Sequence, residues 1–211
     1  GTDRVSSYGD WIALSDPVDE ATARLIRPEV SDGIIAPGYA PAALELLAGK
    51  KGGGYHILEM DAGYQPPLLE RRTVFGVTLE QDRNESAFDA DTLAAADLPK
   101  EQALDLTVGL IALKYTQSNS VCLCARGQTI GVAAGQQSRI HCTRLAIAKA
   151  RTWLLRQHPR ARQLRFRIGI RRPDRDTAIA SYVERGMDGP DGKMLSAYLD
   201  EWPERITTDE E

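Results

Sequence analysis

Apolar and polar positions change period several times along this chain, and each change predicts an element. From Val121 to Ala125 the residues alternate, Arg126-Gly127 then turns the chain, and Thr129 to Ala133 returns, which is the pattern of a two-stranded hairpin. Gly135-Gln136-Gln137-Ser138 follows as a loop. A long helix is predicted from there to about Pro159, with the Ser138 hydroxyl as its N-cap. Ile140, Ile147 and Leu154 recur at heptad spacing, and Ala146, Ala150 and Trp153 fill the same side, which predicts an amphipathic face laid on a sheet.

The chain before this stretch alternates between strand and helix. Trp11 to Leu14 reads as a buried strand end, and Pro17 to about Arg27 as a helix with Asp16 as its cap. Gly33 to Ala36 is a short apolar strand, Pro41 to Ala48 a helix closed by Gly49, Lys50 to Gly54 a flexible loop, and Tyr55 to Met60 another strand. Pro66 and Pro67 break the pattern before a strand from Thr73 to Leu79, and the acidic stretch Gln81 to Asp97 reads as a join between two lobes. Pro99 opens a helix through about Tyr115 with Leu104, Val108, Ile111 and Tyr115 on one face. After the central helix, Arg160, Arg162, Arg165, Arg167, Arg171 and Arg172 are interleaved with Leu164, Phe166 and Ile168, which predicts a strand with one basic face. Asp174 to Arg185 reads as a helix with Ile179 and Val183 inward, followed by an amphipathic turn around Met194 to Leu199. The alternation predicts an α/β sheet protein.

Composition narrows the class. At 211 residues and 42% hydrophobic content the chain can bury a substantial core, as one large domain or two small lobes. A net charge of -4 argues against a general nucleic-acid or membrane-surface binder, and no apolar run is long enough to span a bilayer. A cytoplasmic location is expected. Cys122, Cys124 and Cys142 leave one cysteine over after any pairing, and the first two share a strand, so reduced thiols are expected. Neither a C-x-x-C pair nor another zinc-ligand spacing is present, so no metal is expected.

The candidate chemistry lies around the hairpin and the helix that follows it. A small-residue loop feeding a helix N-terminus presents free backbone N–H groups and a positive dipole end, and Arg139 adds a guanidinium, which together suit an anion such as phosphate. The alternative is an arginine on an ordinary solvated first turn. Asn119 stands at the junction of a helix and the first hairpin strand, where its amide would hold a substrate amide or a transferring carbonyl through paired donor and acceptor groups, or simply suit a turn. Gly9 admits close approach of a ligand to the backbone, or is a turn glycine. Asp32 accepts hydrogen bonds from a base or ribose, or makes an Asx turn. His141 is placed near the anion site, but without a nearby carboxylate it is read as packing or bonding on the helix face. The arginine-rich stretch would meet phosphate, a folate tail or RNA, or is a solvated face paired with acids.

The segments KYTQSNSV and GQQSRIHCTRLA closely resemble the transformylase region of 5-aminoimidazole-4-carboxamide ribonucleotide (AICAR) transformylases, above all the stand-alone type. DRVSSYGDWIALSD, EVSDGIIAPGY, RQHP and IRRPDRD are similar to the same family, so the resemblance spans nearly the whole chain. It implies formyl transfer from 10-formyltetrahydrofolate, as co-substrate, to the 5-amino group of AICAR in purine synthesis, without a metal. It implies a three-layer α/β/α sandwich with two cytidine-deaminase-like lobes and mixed sheets, residues 1–85 in the first and 86–211 in the second, assembled as a homodimer. Matching motifs put nucleotide binding on Gly9, Asp32, Asn119 and Arg139, catalytic positioning on Asn119 and a folate contact on Ile140. The family's lysine-histidine motif and its FFPF-type segment have no counterpart in the sequence, which is expected to be the middle of a longer domain, and Ala133 and Ile147 stand where the family usually has glycine. A catalytically inactive nucleotide-binding homologue and an RNA-binding module are the alternative readings.

Overall fold

The computed structural model describes residues 5, 8–84, 98–185, 192–201 and 203–206. They fall into two compact units, one within Ser7–Glu85 and the other within Ser86–Glu211, which Val5 joins. The chain is α/β, with parallel and antiparallel pairing in separate sheets.

In the first unit β1 (Trp11–Ala13), β2 (Gly33–Ala36) and β3 (His56–Glu59) form a parallel sheet in that order. Helix α1 (Glu20–Ile26) links the first pair and α2 (Pro41–Ala48) the second, and the two helices pack on each other. Val18, Ala23, Ile34, Ala36, Ala43 and Leu47 are the buried core between them. Strand β1 is less buried than its apolar run predicts. Trp11 is exposed and lies across Gly33, where a Cβ would stand 2.5 Å from the indole. Helix α2 has the predicted bounds, but the loop after it is a 3-10 turn, Lys50–Gly53.

The cap of α1 is Asp19 and not Asp16. Val18 pairs with the chain at Tyr39, donating to Gly38 O at 2.9 Å, so the helix starts only after this bridge. Asp19 accepts from Thr22 N at 2.7 Å, and that hydrogen bond holds its carboxyl below the usual carboxylate range. A lowered folded pKa contributes stability above the unfolded value, near 4, and loses it as pH falls through the folded one. Asp19→Asn is therefore expected to keep α1 while flattening the acid limb of the stability profile, measured by urea melts from pH 6 down to 2. An unchanged acid limb would show that the cap does not titrate.

Where a single strand from Thr73 to Leu79 is predicted, there is a hairpin, β4 (Leu69–Val74) with β5 (Val77–Asp82). Phe75 and Gly76 turn it with φ of 51° and 81°, the left-handed pair of a two-residue turn. A phenylalanine in that region is uncommon, which is why the apolar run hides the turn. Residues 85–97, most of the predicted join, lie outside the described residues.

The second unit is organised on a second hairpin, β6 (Val121–Ala125) with β7 (Gln128–Ala133), antiparallel with a one-residue shift between Leu123 and Cys124. Helix α3 (Lys100–Lys114) covers one face of the hairpin and α4 (Arg139–Leu155) the other. Asp105 of α3 accepts from the amides of Arg126 (3.2 Å) and Gly127 (2.5 Å), which pins the turn.

The buried face of α4 keeps Ala146 and Ala150 of the predicted side but none of its large residues at heptad spacing. Cys142, Ala146, Ala150 and Leu155 face inward, whereas Ile140, Ile147 and Leu154 are 63%, 52% and 55% exposed. Backbone proximity decides this. A Cβ on Gly131 of β7 would stand 2.3 Å from Ala146 O and 2.9 Å from Ala150 N, so only small side chains fit between strand and helix. Helix α3 follows the same rule, with Gly109 buried and Leu104, Ile111 and Tyr115 exposed.

Three further helices lie among the described residues of the unit, α5 (Pro159–Arg162), α6 (Arg172–Arg185) and α7 (Gly192–Tyr198). Leu155, Ala161, Ala178, Tyr182, Val183, Leu195 and Leu199 form its second core. Arg156, at the C-terminal end of α4, donates to Asp176 O at 2.9 Å and pairs with the Asp176 carboxylate, both side chains being largely buried. The arginine-rich stretch is not a strand; among the described residues a single bridge joins Phe166 to Leu199. Arg165 pairs with Glu201 at 3.1 Å, Arg160 with Glu204 at 3.4 Å and Arg171 with Asp174 at 3.0 Å, while Arg167 donates to Leu199 O and Ser196 O. Acids and carbonyls thus engage Arg160, Arg165, Arg167 and Arg171, in line with the solvated alternative foreseen for the stretch. Among the described residues no helix is long and apolar enough to cross a membrane.

Candidate functional site

In the second unit the Asn119 turn and the loop before α4 are tied into one structure. Gly135, at φ 65°, donates its amide to Gln117 O at 2.9 Å. Asn119 Nδ2 donates to Gln136 O at 3.0 Å and to Gln137 O at 3.1 Å. Two carbonyl acceptors fix the orientation of the side-chain amide, because the reverse would set Oδ1 against both. The donor half predicted for substrate is therefore committed to the loop, and Oδ1 is the acceptor that this turn offers. The Ser118–Asn119 peptide is cis.

Beneath the turn Cys142, fully buried on α4, donates through Sγ to Asn119 O at 3.2 Å and to Ala133 O at 3.5 Å. This tie was not foreseen from the sequence. Its only sequence signal is a small thiol on the helix one turn before Ala146, a spacing that becomes informative once the inward face of α4 is known.

Ser138 occupies the N-cap position of α4 in extended conformation, but its hydroxyl makes no cap bond, contrary to expectation. The first-turn amides are thus without a side-chain cap, at the positive end of a 17-residue helix. Arg139 is the first helical residue and is exposed, Ile140 is exposed beside it, and His141 is exposed too and not packed. Ala133 is buried against Cys142 and Ala146, while Ile147 points outward, so neither marks the closest approach of strand and helix.

In the first unit Gly9 and Asp32 meet at the N-terminal ends of the parallel strands. A Cβ on Gly9 would stand 3.7 Å from Asp32 Oδ2, and Asp32 N donates to Asp10 O at 2.7 Å. Lys51 pairs with the Asp32 carboxylate, and His56 Nδ1 lies 3.2 Å from Asp32 O with its ring against Trp11. The Lys51 hydrogen bond holds the Asp32 carboxyl below its usual range, so it stands as a carboxylate at neutral pH. Beside it the buried Lys50 donates to Glu29 O at 2.6 Å and to Ser31 Oγ at 3.2 Å, with its ammonium 4.5 Å from the centre of the Tyr55 ring. Ser31 Oγ and Tyr55 Oη are 2.8 Å apart. Burial, followed by the charge of Lys51, pushes the Lys50 ammonium below its usual pKa. The Lys50 network holds the loop on which Asp32 is presented. The consecutive lysines Lys50 and Lys51 give no sequence sign that one is buried and the other exposed.

Fold and site together define an α/β protein in which an amide-bearing turn is tied to a loop that opens a long helix. The sequence pattern of the AICARFT/IMPCHase bienzyme family matches residues 1–149. Over 153 residues the chain is 38% identical to the bifunctional purine biosynthesis protein PurH of Roseobacter denitrificans, covering 70% of this chain and 29% of that protein. PurH proteins from two strains of Prochlorococcus marinus are 34% identical over 156 and 153 residues, with the same coverage. The chain belongs to the AICARFT/IMPCHase family. It spans 29% of the length of these relatives.

Proposed function

We propose that this chain serves the formyltransferase reaction of purine biosynthesis, in which AICAR receives a formyl group from 10-formyltetrahydrofolate. The observation that carries this reading is the union of the Asn119 turn with the Gly135–Arg139 loop, on the segment matched by the family pattern. In this reading Arg139 and the uncapped amides of α4 receive the phosphate, Asn119 Oδ1 accepts from the reacting amine, and Ile140 offers an apolar contact to folate. Gly9 and Asp32 contribute to nucleotide binding. The amine of AICAR is a weak nucleophile, so the chain's share of catalysis is to position it and orient its N–H bonds.

Calorimetric titration of the chain with AICAR tests this. Asn119→Ala and Arg139→Ala are each expected to weaken binding roughly ten- to a hundredfold, the scale of one lost hydrogen bond to a charged or buried partner. Leu25→Ala, on the solvent side of α1, is expected to leave binding unchanged. Equal affinity in all four proteins would remove the central loop from the reading. Binding without formyl transfer, when folate co-substrate is added, would favour a nucleotide-binding role alone.

A further inference from the structure

Cys122 and Cys124 stand two residues apart on β6, so both side chains leave the same face of the hairpin. That face lies under α3. A Cβ on Gly109 would stand 2.9 Å from Cys124 Sγ and 4.0 Å from Cys122 Sγ, so the glycine leaves room for two sulfurs. The sulfurs are 3.4 Å apart. Successive same-face positions on a strand are separated by about 6.6 Å, so the two thiols are turned toward each other across that gap. The register shift at Leu123/Cys124 falls within the pair, where Cys122 faces Val132 and Cys124 faces Thr129. Both are half-buried free thiols, whereas Cys142 is buried and engaged with Asn119 O and Ala133 O.

We propose that Cys122 and Cys124 form a modification site, a dithiol that closes to an intrastrand disulfide by exchange with a small-molecule disulfide. One cysteine sulfur, as thiolate, attacks a sulfur of the reagent, forming a mixed disulfide and releasing one small thiolate. The second cysteine, deprotonated, attacks the cysteine sulfur of that mixed disulfide, and the other small thiolate leaves with the electron pair. Two protons pass to the released thiolates, so the cysteine pair loses two electrons and the reagent becomes two thiols. The sulfurs must close from 3.4 Å to about 2.05 Å, which draws the strand in at the Leu123/Cys124 register shift, and Gly109 sets no side chain against either sulfur. Burial, with a smaller contribution from the Cys124 hydrogen bond, pushes the Cys122 thiol well above its usual pKa, so exchange accelerates as the solution is made alkaline.

The test is incubation of the full chain with oxidised glutathione at pH 7.5 and 9, followed by alkylation in denaturant, trypsin and mass spectrometry. Cleavage after Lys114 and Arg126 carries the pair in one peptide, Tyr115 to Arg126, while cleavage after Arg139 and Arg144 leaves Cys142 in another. The expected product is the first peptide two hydrogens lighter and without alkylation, formed faster at pH 9, with Cys142 alkylated. Cys142→Ser should retain the bridge, and Cys124→Ser should lose it. Full alkylation of all three cysteines, a glutathione adduct on one of the pair that never resolves, or a bridge to Cys142 would each overturn the proposal.

Discussion

Gly131→Ala is expected to destabilise the second unit by about 3 kcal/mol or more, at the upper end of what overpacking costs. The added methyl would lie 2.3 Å from Ala146 O and 2.9 Å from Ala150 N, so it meets backbone and not a side chain that can rotate. Relief requires α4 to lift from β7, which opens the contacts of Cys142, Ala146 and Ala150 together. Gly109→Ala is the matched comparison. Its methyl meets the Cys124 thiol at 2.9 Å, a group that can turn aside, so a cost of about 1 kcal/mol is expected. Urea denaturation followed by circular dichroism separates the two. If Gly131→Ala lies within about 0.5 kcal/mol of the parent, the helix does not rest on the strand backbone.

Asp176→Ala is expected to cost about 3 kcal/mol, because it leaves Arg156 with a buried charge and no carboxylate. The two side chains are only 12% and 15% exposed, which distinguishes them from pairs such as Arg24–Glu20 that are mostly in water and worth little. Arg156 still reaches Asp176 O, so the loss is partial. Replacing both, as Arg156→Met with Asp176→Leu, removes the charge and its partner together, and much of the stability should return. A double variant no more stable than Asp176→Ala would locate the loss in α6 packing and not in the charge. The melting temperature of each variant, at fixed protein concentration, gives the comparison.

The elements were largely legible in the sequence, and their orientations were not. Helices Pro41–Ala48 and Lys100–Lys114 and the hairpin from Val121 to Ala133 follow from proline, glycine and alternation, which are local signals. Ala146 and Ala150 were rightly placed on the inward side of α4, but the larger Ile140, Ile147 and Leu154 were placed with them and Cys142 was passed over, because large apolar residues dominate any periodicity of size. What selected the smaller set was Gly131, on a different element eleven residues before Cys142. The Phe75-Gly76 turn was hidden for a different reason, a bulky residue in a conformation that glycine or asparagine usually marks. Asn119 and Arg139 in one unit, and Asp32 and Gly9 in the other, were legible as candidate residues, whereas the bonds that hold Asn119 and Asp32 were not. Lys50, Ser31, Tyr55 and Cys142 act through tertiary contact, and nothing in their neighbours along the chain announces it.

The Asn119 amide is held by bonds from within its own chain, to Gln136 O and Gln137 O. Its rotamer freedom is therefore surrendered once, during folding, and a molecule arriving at Oδ1 does not meet that entropic cost a second time. The same arrangement makes the loop's stability and the aim of the amide a single property. On the proposed reading, any substitution that loosens Gln136 or Gln137 should weaken AICAR binding without touching Asn119 itself.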